Sequence, residues 1–204
     1  MASQIAHIVY AKKYLEKHPL PNGDKDLFIL GSVFPDIRRV AEGLSRQDTH
    51  MAFDPIDLDF SGLTPFQAGW KFHLYCDMRR EEIMKGYGFY SLTKDNGKFW
   101  QSSKMLEDEL LYDVYNNWEK LVHYFNHPPE VDLPDGVSVE SYELWYAMIA
   151  KYISEKPNDK TMQFFIGKQA MFQKDSSVII EKVNELRKNR EAVEILKKVV
   201  EEIV

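Results

Sequence analysis

Apolar residues recur at helical spacing in nearly every long segment of the chain. Near the start they fall at Ile5, Ile8, Val9 and Leu15, which places them on one face of a helix. Alternation of apolar and polar residues, the pattern of strands, never extends over a useful length. The pattern therefore predicts an all-α fold, a multi-helix globular domain.

Capping residues mark where several of these helices begin. Thr64 followed by Pro65 is typical of a helix N-terminus, because threonine caps the first turn and proline needs no amide partner there. Asp24 or Asp26 is suited to cap a shorter helix upstream. Residues 37–63, rich in glycine, aspartate and proline, indicate a long loop with short helical turns at most. The predicted helices are 3–18, 27–33, 65–85, 98–126, 139–155, and two or three in the last 45 residues, broken near 175 and 189.

The length and composition are those of one large domain. The chain has 204 residues, of which 44% are hydrophobic, and the apolar residues are spread along the whole length. We predict a single helical domain over 1–204. Within it, we expect residues 1–85 to carry the functional site and residues 98–204 to complete the helical fold.

Charge and cysteine content narrow the class of protein. A formal net charge of −6 is a poor match for a general nucleic-acid-binding surface. Cys76 is the only cysteine, so neither an intramolecular disulfide nor a thiolate-rich metal site is possible. There is neither a signal-peptide pattern nor an apolar run near the ~20 residues of a membrane span. We expect a cytoplasmic protein that does not span a membrane.

His73 and Asp77 are the most informative pair of residues. Four positions apart on the predicted helix, they lie on the same face, which is otherwise apolar. A charged aspartate on an apolar face is costly unless something compensates it, and a divalent metal ion would do so. The alternative is a hydrogen-bonded His–Asp pair in a polar cleft. Gly69, one turn before His73, would let another segment or a substrate come close.

Further polar residues in the first 80 positions extend this pair. His7, Asp36 and His50 make a set of three histidines and two aspartates, the ligand chemistry of a zinc, iron or manganese site without cysteine. Each residue alone also has a simpler explanation: His7 as a core histidine, Asp36 as a turn residue after Pro35, and His50 as a loop residue. A carboxylate that bridges two ions about 3.5–4 Å apart would suit phosphoester hydrolysis. Arg38 and Arg39 follow Asp36, and of these we assign Arg38 to a phosphate, with a surface ion pair as the alternative.

Two other groups are weaker candidates for a metal site or a general base. Glu119, His123 and His127 form a second stripe at helical spacing, but histidines near a helix C-terminus are favoured by the helix dipole without any ligand. Asp108 could be a ligand or a general base, although a solvated acidic face is the more common explanation for its surroundings.

The order of the motifs resembles a known family. A histidine on the first helix is followed by Gly-x-x-x-Pro-Asp, Thr-His and Gly-x-x-x-His-x-x-x-Asp. This order resembles the prokaryotic zinc-dependent phospholipase C family, whose all-α fold is shared with zinc-dependent single-strand nucleases. The resemblance covers about residues 5–80. It implies that Asp36, His50, His73 and Asp77 surround one zinc, and that Asp77 bridges to a second ion, which His7 also holds.

The same resemblance implies the number and kind of ions. No His-x-x-x-Glu follows Asp77, so we expect one or two divalent ions rather than three. Zinc is expected from the resemblance, with manganese and iron as the other candidates.

We therefore predict a metal-dependent hydrolase of phosphoesters, a phosphodiesterase or a phospholipase C-like enzyme. A metal-bound water would be the nucleophile, Asp36 or Asp77 would orient it, and Arg38 would stabilise the phosphate. The expected partner is a small-molecule or lipid phosphoester. The sequence does not indicate an oligomeric state.

Two other classes stay open. One is a helical phosphohydrolase marked by adjacent His-Asp, and no such dipeptide occurs in the chain. The other is a non-catalytic helical binding module with a degenerate metal site, which would work through its aromatic and charge-paired C-terminal half. Near-stoichiometric zinc or manganese in the purified protein would favour an enzyme over the module.

Overall fold

The structure, a computed structural model, describes residues 3–20, 24–92, 99–169 and 171–204. Within these ranges the secondary structure is helical without strands, which confirms the all-α prediction. Short 3₁₀ segments lie at Phe34–Arg39, Phe89–Leu92, Tyr112–Val114 and Gln173–Asp175. The α-helices are α1 (Gln4–Lys17), α2 (Lys25–Val33), α3 (Arg46–His50), α4 (Pro65–Gly86), α5 (Phe99–Leu111), α6 (Trp118–Asn126), α7 (Val139–Ile153), α8 (Asp159–Gly167), α9 (Ser176–Lys188) and α10 (Arg190–Glu202).

The predicted caps form at the predicted places. The side chain of Thr64 accepts a hydrogen bond from the amide of Gln67, and the Gln67 side chain accepts one from the amide of Thr64. Asp24, rather than Asp26, caps α2 by accepting from the amides of Asp26 and Leu27. These interactions satisfy amides that have no partner inside their own helix, and they fix where α2 and α4 begin.

The prediction of one helix over 98–126 is wrong. The segment forms two helices: α5 ends at Leu111, and the backbone is extended at Tyr115 before α6 begins. Residue 98 lies outside the described residues. The break is held by its aromatic residues. Trp118 stacks on Tyr112 at 4.7 Å between ring centroids and donates its indole N–H to the Tyr112 carbonyl oxygen at 2.9 Å.

The backbones of α2 and α4 touch where they cross. A Cβ atom added at Gly69 would lie 2.0 Å from the carbonyl oxygen of Phe28, and one added at Gly31 would lie 2.0 Å from that of Phe66. Each glycine therefore makes room for the other helix, as expected for Gly69 from its position before His73. This contact brings the last turns of α2 against the first two turns of α4.

The helix α5 ties α1 and α4 together through two adjacent acidic residues. Asp108 accepts a hydrogen bond from the amide of Ala6, at 2.9 Å, in the first turn of α1. Glu107 accepts from Arg80 of α4 at 2.7 Å and from the hydroxyl of Tyr10 of α1. The Arg80–Glu107 pair is almost fully buried. Solvent therefore screens this pair much less than an exposed one. With the hydroxyl of Tyr10, the pair links α1, α4 and α5 at one point.

The C-terminal helices cover α4 and α5. Apolar residues of α9 and α10 join the same continuous hydrophobic cluster as those of α1, α2 and α4. Among the described helices, none is both long enough and apolar enough to cross a membrane.

We predict that Gly69→Ala destabilises the protein by about 1–3 kcal/mol or more, because the added methyl group meets backbone rather than a movable side chain. Urea denaturation measures the change. Gly86→Ala, at the end of the same helix with nothing near its added methyl group, is the matched control and should be neutral or slightly stabilising. Equal stability of the two variants would show that the helices do not approach as closely as described.

Candidate metal centre

The structure brings all five sequence-predicted ligand residues together. His7 comes from α1, Asp36 from the 3₁₀ segment after α2, His50 from α3, and His73 and Asp77 from α4. Two overlapping groups, His7–His73–Asp77 and Asp36–His50–His73, each place one ligand atom per residue within 4.8 Å of the others. All five side chains are buried. This group could therefore hold a metal ion.

The spacing around the Asp77 carboxylate is that of ligand atoms rather than of hydrogen bonds. Its Oδ1 lies 3.4 Å from His7 Nε2, and its Oδ2 lies 3.7 Å from His73 Nε2 and 3.9 Å from His50 Nε2. These distances exceed the usual 2.7–3.2 Å of an N–H···O hydrogen bond. Two ligands of one tetrahedral zinc ion, each about 2.0–2.1 Å from it, lie about 3.3–3.4 Å apart. The atoms are thus spaced to surround a cation.

Hydrogen bonds on the far side of two imidazole rings aim them at the site. His73 Nδ1 lies 2.8 Å from the carbonyl oxygen of Ser32, and because a carbonyl only accepts, Nδ1 must donate and Nε2 carries the lone pair. His50 Nδ1 lies 2.9 Å from the hydroxyl of Thr49. Among the described residues, the Nε2 atoms of His50 and His73 and both ring nitrogens of His7 are buried without a hydrogen-bond partner. Buried polar atoms normally pair with a protein group, a water molecule or an ion, and these four are free to face an ion.

The His7 and His73 rings lie against each other. Their planes are inclined by 14° and their centroids are 3.8 Å apart, so α1 and α4 contribute two stacked imidazoles. The amide of Ala6, next to His7, is the one that Asp108 holds, which explains how a residue of α5 positions this part of the site.

Asp36 is held ionised by its neighbours. Arg39 Nε lies 2.9 Å from Oδ1, and Gln4 donates to Oδ2 at 3.0 Å. Burial by itself would raise the pKa of Asp36, but Arg39 and then Lys104 lower it well below its usual range. Arg38, predicted to contact phosphate, is half-buried with Nη2 3.7 Å from the same carboxylate. It therefore belongs to the site, where it can serve an ion pair, a phosphate or both.

His50 and His73 are neutral at pH 7. Burial lowers the pKa of His50 to about 4 and the pKa of His73 well below its usual value. Burial would raise the pKa of Asp77, but nearby positive charge, together with His73 and His7 beside the carboxylate, brings it well below its usual range. Neutral imidazoles and ionised carboxylates are the protonation states that bind a metal ion.

Two buried residues of α5 were not predicted: Lys104, which lies near the site, and Gln101, one turn before it. Each is only 1% exposed, and within the part of the chain that the structure describes, Lys104 Nζ and both polar atoms of the Gln101 amide have no hydrogen-bond partner. Burial lowers the pKa of Lys104 to about 7, with Arg39 acting in the same direction and the Asp36 and Asp77 carboxylates in the opposite one. No sequence motif includes either residue. On a helix with many charged residues, a lysine and a glutamine are normally expected to face solvent.

The weaker candidates do not join a metal group. His123 and His127 are exposed, and His127 Nδ1 lies 3.1 Å from the His123 carbonyl oxygen. Among the described residues, neither they nor Glu119 belong to a cluster of possible ligands. Asp108 is buried and accepts from Ala6 and from the hydroxyl of Tyr152 at 3.0 Å, which makes it structural.

A cavity of about 310 Å³ opens beside the site. His50 and Asp77 line it together with Arg46, Met78 and Glu81. A solute that enters this cavity therefore meets two of the candidate ligands directly.

Comparison with protein-family models, with curated proteins and with solved structures finds no match to this chain. The resemblance to the zinc-dependent phospholipase C family therefore stays a prediction, and the geometry of the site carries the functional argument.

We predict that His73→Ala and Asp77→Ala both abolish near-stoichiometric binding of zinc, because each removes a ligand atom from the centre of the cluster. Inductively coupled plasma mass spectrometry after dialysis measures the metal content, and circular dichroism checks the fold. His127→Ala, which alters an exposed histidine outside the cluster, should keep its metal. Full metal content in both cluster variants would exclude this site.

We also predict a pH effect on the metal-free protein. The unfolded chain protonates His50 near pH 6.5, whereas the folded protein does so only near pH 4. Between these values the unfolded state binds more protons, so the free energy of unfolding falls as the pH falls. Urea denaturation in a chelator at pH 7.5 and 5 should show a smaller loss of stability in His50→Asn than in the wild type. An equal loss in both would show that His50 is solvated.

Proposed function

We propose that this protein is a metal-dependent hydrolase of phosphoesters. The observation that carries the proposal is the convergence of three imidazoles and two carboxylates, from four separate elements, on one buried point beside an open cavity. Building such a cluster without an ion would leave several buried nitrogens unpartnered, at a cost of about 1–3 kcal/mol each.

The donor set indicates which ions the site would hold. Nitrogen and oxygen ligands without a thiolate suit zinc, manganese or iron, and the imidazole content together with the motif order favours zinc. The two oxygens of Asp77 face different histidines, Oδ1 towards His7 and Oδ2 towards His73 and His50. This division suits a carboxylate shared by two ions, so a pair of ions is compatible with the geometry.

A divalent ion bound here would polarise a phosphoryl oxygen and make a water molecule acidic enough to attack phosphorus. The side chains of the site would do the rest. Asp36 and Asp77 have pKa values below their usual range, so they are poor proton acceptors at neutral pH. Their role is to bind and to orient a water by accepting its hydrogen bonds. Arg38 would contact an oxygen of the phosphate.

The test of function is hydrolysis of two chromogenic esters, p-nitrophenyl phosphate and bis(p-nitrophenyl) phosphate. We expect the zinc-loaded protein to hydrolyse at least one of them, a chelator to abolish the reaction and added zinc to restore it. His73→Ala should lower kcat/KM at least about 100-fold, since loss of an outer partner of a ligand alone costs about 10–100-fold.

The His127→Ala variant serves as the control and should retain full activity. Hydrolysis that persists in the chelator, or in His73→Ala at the wild-type rate, would contradict the proposal. A protein that holds zinc without hydrolysing either ester would instead favour the non-catalytic binding module.

A further inference from the structure

Two buried polar side chains of α5 have no use in the function proposed so far. Gln101 and Lys104, three residues apart, lie on the same face of the helix. Both are 1% exposed, and in the described ranges neither the Lys104 ammonium nor the Gln101 amide has a hydrogen-bond partner. Lys104 Nζ has one aromatic contact, 4.5 Å from the centroid of the Trp100 ring. A buried polar group without a partner is costly, and a charged one more so.

The contacts of α5 place Lys104 near the site. Asp108, one turn after Lys104 on the same face of α5, accepts a hydrogen bond from the amide of Ala6, next to His7. In agreement with this position, the carboxylates of Asp36 and Asp77 both raise the pKa of Lys104 against the effect of burial. Arg39, unlike Lys104, has partners of its own. Its Nε lies 2.9 Å from a carboxylate oxygen of Asp36, and its Nη1 donates a hydrogen bond to the side-chain oxygen of Gln169 at 2.8 Å.

The charges of this region do not balance. Arg38 and Arg39 contact Asp36, and Lys104 lies nearby. The cavity beside Asp77 adds one more cationic side chain, Arg46, and one more carboxylate, Glu81. When all are ionised, one positive charge is left over, and a single divalent ion would raise the excess to three. Net charge in a buried site is costly unless a counter-charge is present. The nearby pair Arg80–Glu107 is neutral overall and changes nothing.

We propose that Lys104 and Gln101 form an oxyanion subsite beside the metal centre, and that the substrate is a phosphate monoester. The assignment to a substrate rests on the function proposed above. A monoester presents a phosphate dianion at neutral pH, which offsets more of the excess positive charge than the single charge of a diester. The Lys104 ammonium donates to one phosphate oxygen, and the Gln101 amide N–H donates to another.

The experiment is a calorimetric titration of the full-length, zinc-loaded protein with inorganic phosphate, comparing the wild type with Lys104→Met. Methionine is nearly as long as lysine and removes a buried charge that has no hydrogen-bond partner among the described residues, so the fold should survive. We expect the variant to keep its zinc and to bind phosphate at least 10-fold more weakly. Gln101→Leu, which alters the other half of the subsite, should also weaken binding.

Lys120→Met is the matched control, since Lys120 is exposed and pairs with Asp26 on the surface. It should bind phosphate as the wild type does. Dimethyl phosphate, a monoanion, should bind the wild type at least 10-fold more weakly than inorganic phosphate. In the hydrolysis assay, Lys104→Met should lose more kcat/KM with the monoester than with the diester.

Wild-type affinity for phosphate in a folded, zinc-loaded Lys104→Met protein would overturn the subsite, and so would equal affinities for phosphate and dimethyl phosphate. The outcome is separable from the metal hypothesis. If the wild type holds no metal, the same titration is run on the metal-free protein, where the excess of cationic side chains still predicts binding that depends on Lys104. Binding there would keep the subsite and reject the hydrolase, and absence of binding would reject both.

Discussion

The contact between the backbones of α2 and α4 is the constraint on which the site depends. Gly31 and Gly69 have no side chains, so the two helices approach until each glycine faces a carbonyl of the other helix. At this separation the Ser32 carbonyl oxygen reaches His73 Nδ1 at 2.8 Å. That hydrogen bond sets the tautomer of His73 and turns its Nε2 towards Asp77. A wider crossing would lose the bond and the direction of the ring with it.

A second constraint is the burial of charge around this point. α5 fixes α1 through Asp108 and α4 through Glu107, so the helices that carry His7, His73 and Asp77 cannot move apart without breaking buried hydrogen bonds. The buried ligand atoms are thereby held at separations too long for hydrogen bonds and suited to a cation. Rigid positioning of this kind is what a metal site requires of its protein.

Much of the fold could be predicted because local residues decide it. Thr64, Pro65 and Asp24 satisfy the first amides of their helices, and their effect does not depend on distant contacts. The break between α5 and α6 could not be predicted, since the helical pattern continues across it and Trp118 closes it by packing on Tyr112. The order of the motifs singled out five candidate ligand residues, and the structure brings their side chains together. The burial of Lys104 and Gln101 could not be predicted, because it depends on how other helices pack over α5.

The central claim is that the converging imidazoles and carboxylates bind a divalent ion. The most direct measurement is an anomalous difference map from crystals grown with zinc and collected on both sides of the zinc absorption edge. We expect a strong peak within about 2.3 Å of His73 Nε2 and of an oxygen of Asp77, which vanishes below the edge. A map without a peak between these atoms, in crystals where the same side chains converge, would contradict it.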